Sequence, residues 1–192
     1  MNSIGGFIGG GYDNQVYSPG GVILGGTKNQ IDPSRKVNSF LGVICGGSSN
    51  VLNTTTNLFP NKINIGYSFI GAGAGNLIQN CHHSSIIGGS GNKIGSFANI
   101  GVFPPCPYSF IGGGCQNHVY NQDTTSAYIG HYGYSSIVGG FNNKVTKSFS
   151  TVLGGSGNQV RANFSMIGAG KNNISKGSGS AIGAGLNNRT GN

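Results

Sequence analysis

Apolar positions recur along this chain at a spacing longer than any helix or strand period. Ile137, Val152, Ile167 and Ile182 lie 15 residues apart, each two positions after a serine, as in Ser135-Ser136-Ile137. Asn143, Asn158, Asn173 and Asn188 repeat at the same interval, and Val145 and Val160 stand two positions after the first two. The unit reads Ser-x-Ile-x-Gly-Gly-x-x-Asn-x-Val. Each end of it has a period of two, so it predicts two short strands with one side chain of each turned inward. The intervening pair, such as Gly139-Gly140, allows a sharp bend and close backbone approach. Copies run upstream through Ile111, Ile86, Ile70, Ile44, Ile23 and Ile8, about ten in all, and a fixed period of this length marks a solenoid.

The predicted fold is all-β: a parallel β-solenoid, or β-roll, of about ten short rungs with a period near 15, forming one repeat domain over 1–192. Equivalent residues then stack about 4.8 Å apart, giving a rod of roughly 50 Å. The asparagine amides can bond along the axis as in cross-β ladders, or cap their own turns. Small inward residues and few aromatics predict that one chain buries little. A closed cyclic homo-oligomer, a trimer, is expected to supply the missing core along its axis.

The period breaks in the first two thirds. Insertions fall near 32–38, 53–62, 101–108 and 120–127, all between the Asn-x-Val strand and the next Ser-x-Ile. Insertions at one phase emerge on one edge, which in solenoids is often the binding face. Arg35, Phe59, Pro104, Tyr120, Asp123, Tyr128, His131 and Tyr132, with Tyr134 nearby, are the candidate contact residues; packing at a subunit interface is the equal alternative. Truncated extra rungs around 98–101 or 127–130 also fit the spacing.

Composition narrows the function. Gly supplies 38 residues, which disfavours helix, and it does not recur every third position, which excludes collagen. Regular apolar positions exclude disorder. Charged residues are 7%, against about 25% in ordinary domains. The net charge of +8 permits anionic partners. Lys93, Lys144 and Arg189 directly follow ladder asparagines, with Gln15, Gln30, His118 and Gln159 at equivalent places. Such a stripe binds an anionic glycan or nucleic acid, or simply keeps the rod soluble, and solubility is the plainer reading. Aromatics do not interleave with the cations as single-strand binders require, which argues against nucleic acid. No stretch reaches the length of a membrane span, and Met1–Gly11 lacks the form of a signal peptide.

Chemistry is sparse. The only acids are Asp13, Asp32 and Asp123, so a catalytic carboxylate pair is not expected, and no nucleophile motif is present. Glycine-rich stretches such as Gly71–Gly75 open no helix and so make no phosphate cradle. Cys81-His82-His83 and Cys115/His118 resemble metal ligands but lack the four convergent donors of a structural zinc site. No enzyme, cofactor or metal is expected. Cys45, Cys81, Cys106 and Cys115 read as buried thiols, with a Cys106–Cys115 bridge as the alternative. Of the sequons at Asn53, Asn163, Asn173 and Asn188, only Asn53 reads as an accessible loop acceptor.

The Ser-x-Ile/Val-x-Gly-Gly/Ala units resemble the head repeats of trimeric autotransporter adhesins, and those of viral and phage fibre proteins. The resemblance covers nearly the whole chain and implies a trimeric extracellular attachment rod. The period is slightly longer than that family's, and no stalk, anchor or leader is evident, which favours a virion-surface or appendage fibre. The expected function is a rigid, non-catalytic component of an extracellular or virion-surface fibre. The alternative is an adhesin binding a host glycan or receptor through loops on one edge. Repeats running from end to end also predict either end-to-end assembly or a chain that is one portion of a longer fibre.

Overall fold

A computed structural model describes residues 5–32, 41–53, 67–95, 107–120 and 133–191. These residues form ten rungs of a parallel β-solenoid. Each rung contributes one strand to each of two ten-stranded parallel sheets, and no described residue is helical. Rung 7, for example, holds Ser136–Ile137 in the first sheet and Lys144–Val145 in the second. Registers pair equivalent repeat positions throughout, as in Ile137 with Val152 and Val145 with Val160.

A third side, not anticipated from the pattern, runs between the sheets. It carries one bridging residue per rung, from Tyr12 and Thr27 through Phe141, Ser156 and Lys171 to Leu186. A single paired residue leaves no period-two trace, which is why only two strands were legible. Each rung thereby bonds to the next at several points. From rung 7 the amides of Ser136, Val138, Phe141, Lys144 and Thr146 donate to carbonyls of rung 8.

The core is a double column. Ile23, Ile44, Ile70, Ile86, Ile111, Ile137, Val152 and Ile167 stack from the first sheet and are fully buried. Ile31, Leu52, Ile78, Ile94, Val119, Val145 and Val160 face them from the second. Fully burying one such side chain is worth about 2 kcal/mol. This corrects the expectation of a chain that buries little: one chain closes its own core.

Both expected roles of the ladder asparagine are realised at once. Asn143 Nδ2 donates to Gly139 O in its own rung at 3.1 Å and to Gly155 O in the next at 3.0 Å. Its Oδ1 accepts from the backbone N–H of Asn158 at 3.0 Å. The same link runs unbroken from Asn14 to Asn188, with N···Oδ1 distances of 2.9 to 3.1 Å. Ladder serines seal the opposite corner: Ser150 Oγ donates to Ala162 O at 2.8 Å.

The two glycines of the bend have different jobs. A Cβ at the first, as at Gly139 or Gly154, meets nothing within 4 Å, and Ala72, Ala169 and Ala184 occupy that position elsewhere. The second is glycine in every rung. At Gly140 φ is +96°, and a Cβ would run into the carbonyl of Gly155 and the Asn143 amide.

The insertions coincide with the segments 33–40, 54–66, 96–106 and 121–132, which lie outside the described residues. Arg35, Phe59, Pro104, Asp123, Tyr128, His131, Tyr132 and the proposed truncated rungs lie outside the described residues, as does Cys106. Tyr120, a candidate contact residue beside the fourth insertion, continues the second sheet, its N–H donating to Val145 O, and packs half-buried on the core. Asn53 likewise ends the strand Val51–Asn53 and is not an open loop acceptor. Asn173 is buried, but Asn188, expected to be occluded, is exposed in rung 10.

Candidate functional site: an uncharged aromatic side

The outward positions of the first sheet carry no charge. One column runs Phe7, Val22, Val43, Phe69, Ser85, Phe110, Ser136, Thr151, Met166, Ala181, all in register. The column two residues on is its complement in bulk. Phe7, Phe69 and Phe110 stand before Gly9, Gly71 and Gly112, and each ring lies over its glycine, with Cε1 at 3.3 to 3.4 Å from an added Cβ. Smaller outward residues are followed by larger ones: Val22 by Leu24, Ser85 by Ile87, Ser136 by Val138, Thr151 by Leu153. Every rung from 1 to 9 thus presents apolar bulk, and Leu24, Ile87, Val138 and Leu153 are about half exposed.

Along the edge of this side runs a stack of rings. Tyr67, His83, Tyr108, Tyr134, Phe149 and Phe164 immediately precede the ladder serines of rungs 4 to 9. Consecutive ring centroids are 4.8 to 5.4 Å apart with interplanar angles of 5° to 20°. All six residues have φ between 53° and 59°. Bulky residues in this left-handed region are outliers and carry about 1 kcal/mol of strain each. Gly5, Gly20 and Gly179 take the same corner in rungs 1, 2 and 10 without that cost. Stacking in rungs 4 to 9 offsets the strain. It also uses the ring faces, so the interior rings offer their edges and hydroxyls to a partner.

His82 sits edge-on to His83 and Tyr108, and its Nδ1 is 2.8 Å from His83 Nδ1. Burial, and then the charge of His83, hold the His82 imidazole below the usual histidine range. On the second sheet, burial, then Lys93 and Lys144, do the same to His118. Among the described residues no three metal-ligating side chains converge. Cys45 and Cys115 are half-buried free thiols, not buried ones, and the buried Cys81 thiol donates to Gln79 O at 3.3 Å. No described helix is long and apolar enough to cross a membrane.

Of the residues singled out from the sequence, the structural ladder Ile137, Val152, Ile167, Ile182, Asn143, Asn158, Asn173 and Asn188 forms as expected. Tyr134 does lie on the outer edge. The aromatic stack as a whole was missed, although the signal was present: the residue before the ladder serine is aromatic in six successive copies. The first described residues after the four insertions, Leu41, Tyr67, Pro107–Tyr108 and Gly133–Tyr134, sit at or beside this corner. No family model matches the chain, and no curated sequence matches it either.

Proposed function

We propose that the protein is a rigid, non-catalytic structural component of an extracellular or virion-surface fibre or appendage, and that copies associate through the uncharged side. The observation that carries this reading is the segregation of charge. Every described Lys, Arg and Asp lies off the first-sheet face of a chain with net charge +8. Contact through the uncharged sides lets two such chains meet without bringing their like charges together. With nine steps of about 4.8 Å and five residues across, that side measures roughly 45 by 15 Å, or about 650 Å². This is near the ~800 Å² per partner of a stable interface. A cyclic trimer would place the three sides around one axis.

The test is electron microscopy of the purified protein. Rods about 45 Å long per chain, joined side by side, support the reading; isolated globular particles contradict it.

A second reading, attachment to a host glycan or receptor, is favoured by the shared phase of the four insertions, each of which precedes the same corner of a rung. Deleting residues 121–126 would abolish receptor or particle binding while leaving the oligomer intact; unchanged binding overturns it.

A further inference from the structure

Rungs 7 to 10 hold a charge imbalance that the rod reading does not use. Residues 133–192 contain Lys144, Lys147, Arg161, Lys171, Lys176 and Arg189 and no Asp or Glu. On the corner between the bridging side and the second sheet, rungs 8 to 10 form a shallow, half-open hollow of about 250 Å³. It is lined by Gly157, Gln159, Asn172, Ile174, Asn187 and Arg189. Rung 8 has no side chain at Gly157, where rungs 9 and 10 carry asparagines, and the Asn172 Oδ1 reaches the place a Cβ there would take.

Its chemistry is specific. Asn172 and Asn187 hold φ of 56° at this strained corner and are exposed; glycine would be conformationally easier there. Gln159 Oε1 is engaged by Arg161 Nε at 3.1 Å and by its Nη2, which leaves the Gln159 amide hydrogens to donate. Lys144 pairs in register with Gln159, and Lys171 adjoins Asn172 in sequence. The site therefore offers amides for hydroxyls, one guanidinium for a carboxylate or sulfate, one apolar side chain, and a rim of cations.

We propose that this hollow binds an acidic sugar unit of an anionic polysaccharide. Asn172, Asn187 and Gln159 take its hydroxyls, Arg189 takes its anionic group, and Ile174 contacts its C–H face. A guanidinium clamp on carboxylate or sulfate follows from its planar fork of donors. Single-stranded nucleic acid fits less well, because no aromatic side chain lines the hollow to stack a base. The site lies away from the uncharged side, so it does not depend on self-association.

Binding of the full chain to heparin (sulfate), polygalacturonate (carboxylate), neutral dextran and poly(dT) would be measured by biolayer interferometry at fixed salt. One anionic polysaccharide should bind, identifying the anionic group, and dextran should not. Arg189→Gln should weaken that binding about tenfold, as expected for loss of a charged hydrogen bond. The double variant Asn172→Gly/Asn187→Gly, which relieves backbone strain and keeps the fold, should weaken it at least threefold. Circular dichroism and oligomer mass confirm that both variants retain the rod. The proposal is overturned if neither polysaccharide binds, if the double glycine variant binds unchanged, or if poly(dT) binds as tightly with the same variant dependence.

Discussion

Two adjacent glycines with opposite tolerance test the rung geometry sharply. At Gly139 an added methyl meets nothing within 4 Å. Gly139→Ala should therefore stabilise the chain by about 0.5 kcal/mol through the unfolded state. At Gly140 the methyl meets the Gly155 carbonyl and lies 2.7 Å from Asn143 Nδ2, on a backbone with φ +96°. The strained φ costs about 1 to 3 kcal/mol. Relieving the clash also separates rungs 7 and 8 where Phe141 N–H and Asn143 Nδ2 both donate to Gly155 O. Losing these two bonds adds about 2 kcal/mol. The neighbouring substitutions should differ by roughly 4 kcal/mol, read as denaturation midpoints in guanidinium at equal protein concentration. Equal effects of the two variants would refute the assigned roles of the two glycines.

Further expectations concern the ladders and histidines. Asn143→Ala leaves the Asn158 N–H and the Gly139 and Gly155 carbonyls without their side-chain partner, and should cost at least about 3 kcal/mol by chemical denaturation. Tyr134→Gly exchanges two ring contacts for relief of the left-handed backbone and should change stability by less than ~1 kcal/mol, whereas Tyr134→Ala loses the contacts, keeps the strain and should cost about 1 to 2 kcal/mol more. His82 and His118 are both lowered in the native state. Between their native values and about 6.5 the unfolded chain binds more protons, so stability should fall as pH drops through that window. Denaturant midpoints from pH 8 to pH 5 should show this slope, and His82→Gln/His118→Gln should flatten it.

The rungs were legible because their chemistry repeats: Ile137, Val152, Ile167 and Ile182 announce a column, and Asn143 to Asn188 a hydrogen-bonded spine. The tolerance of Ala72, Ala169 and Ala184 against an invariant second glycine was visible as pattern, but its cause lies in the carbonyl of the next rung. Insertions break the spacing between His83, Tyr108 and Tyr134, so the aromatic column is scattered along the sequence and the stacking of its rings shows only once the rungs are aligned in space. The hollow was hidden for a related reason. Gly157, Asn172 and Asn187 share a corner, while Gln159, Ile174 and Arg189 have no common residue type to mark their column.

Self-association through the uncharged side is tested most directly by native mass spectrometry of the full chain beside its Val138→Lys/Leu153→Lys variant. Both positions are about half exposed in one chain, so the lysines leave its core untouched. The account predicts a closed oligomer, a trimer, for the parent and a folded monomer for the variant. A monomeric parent, or a variant that assembles as the parent does, would contradict it.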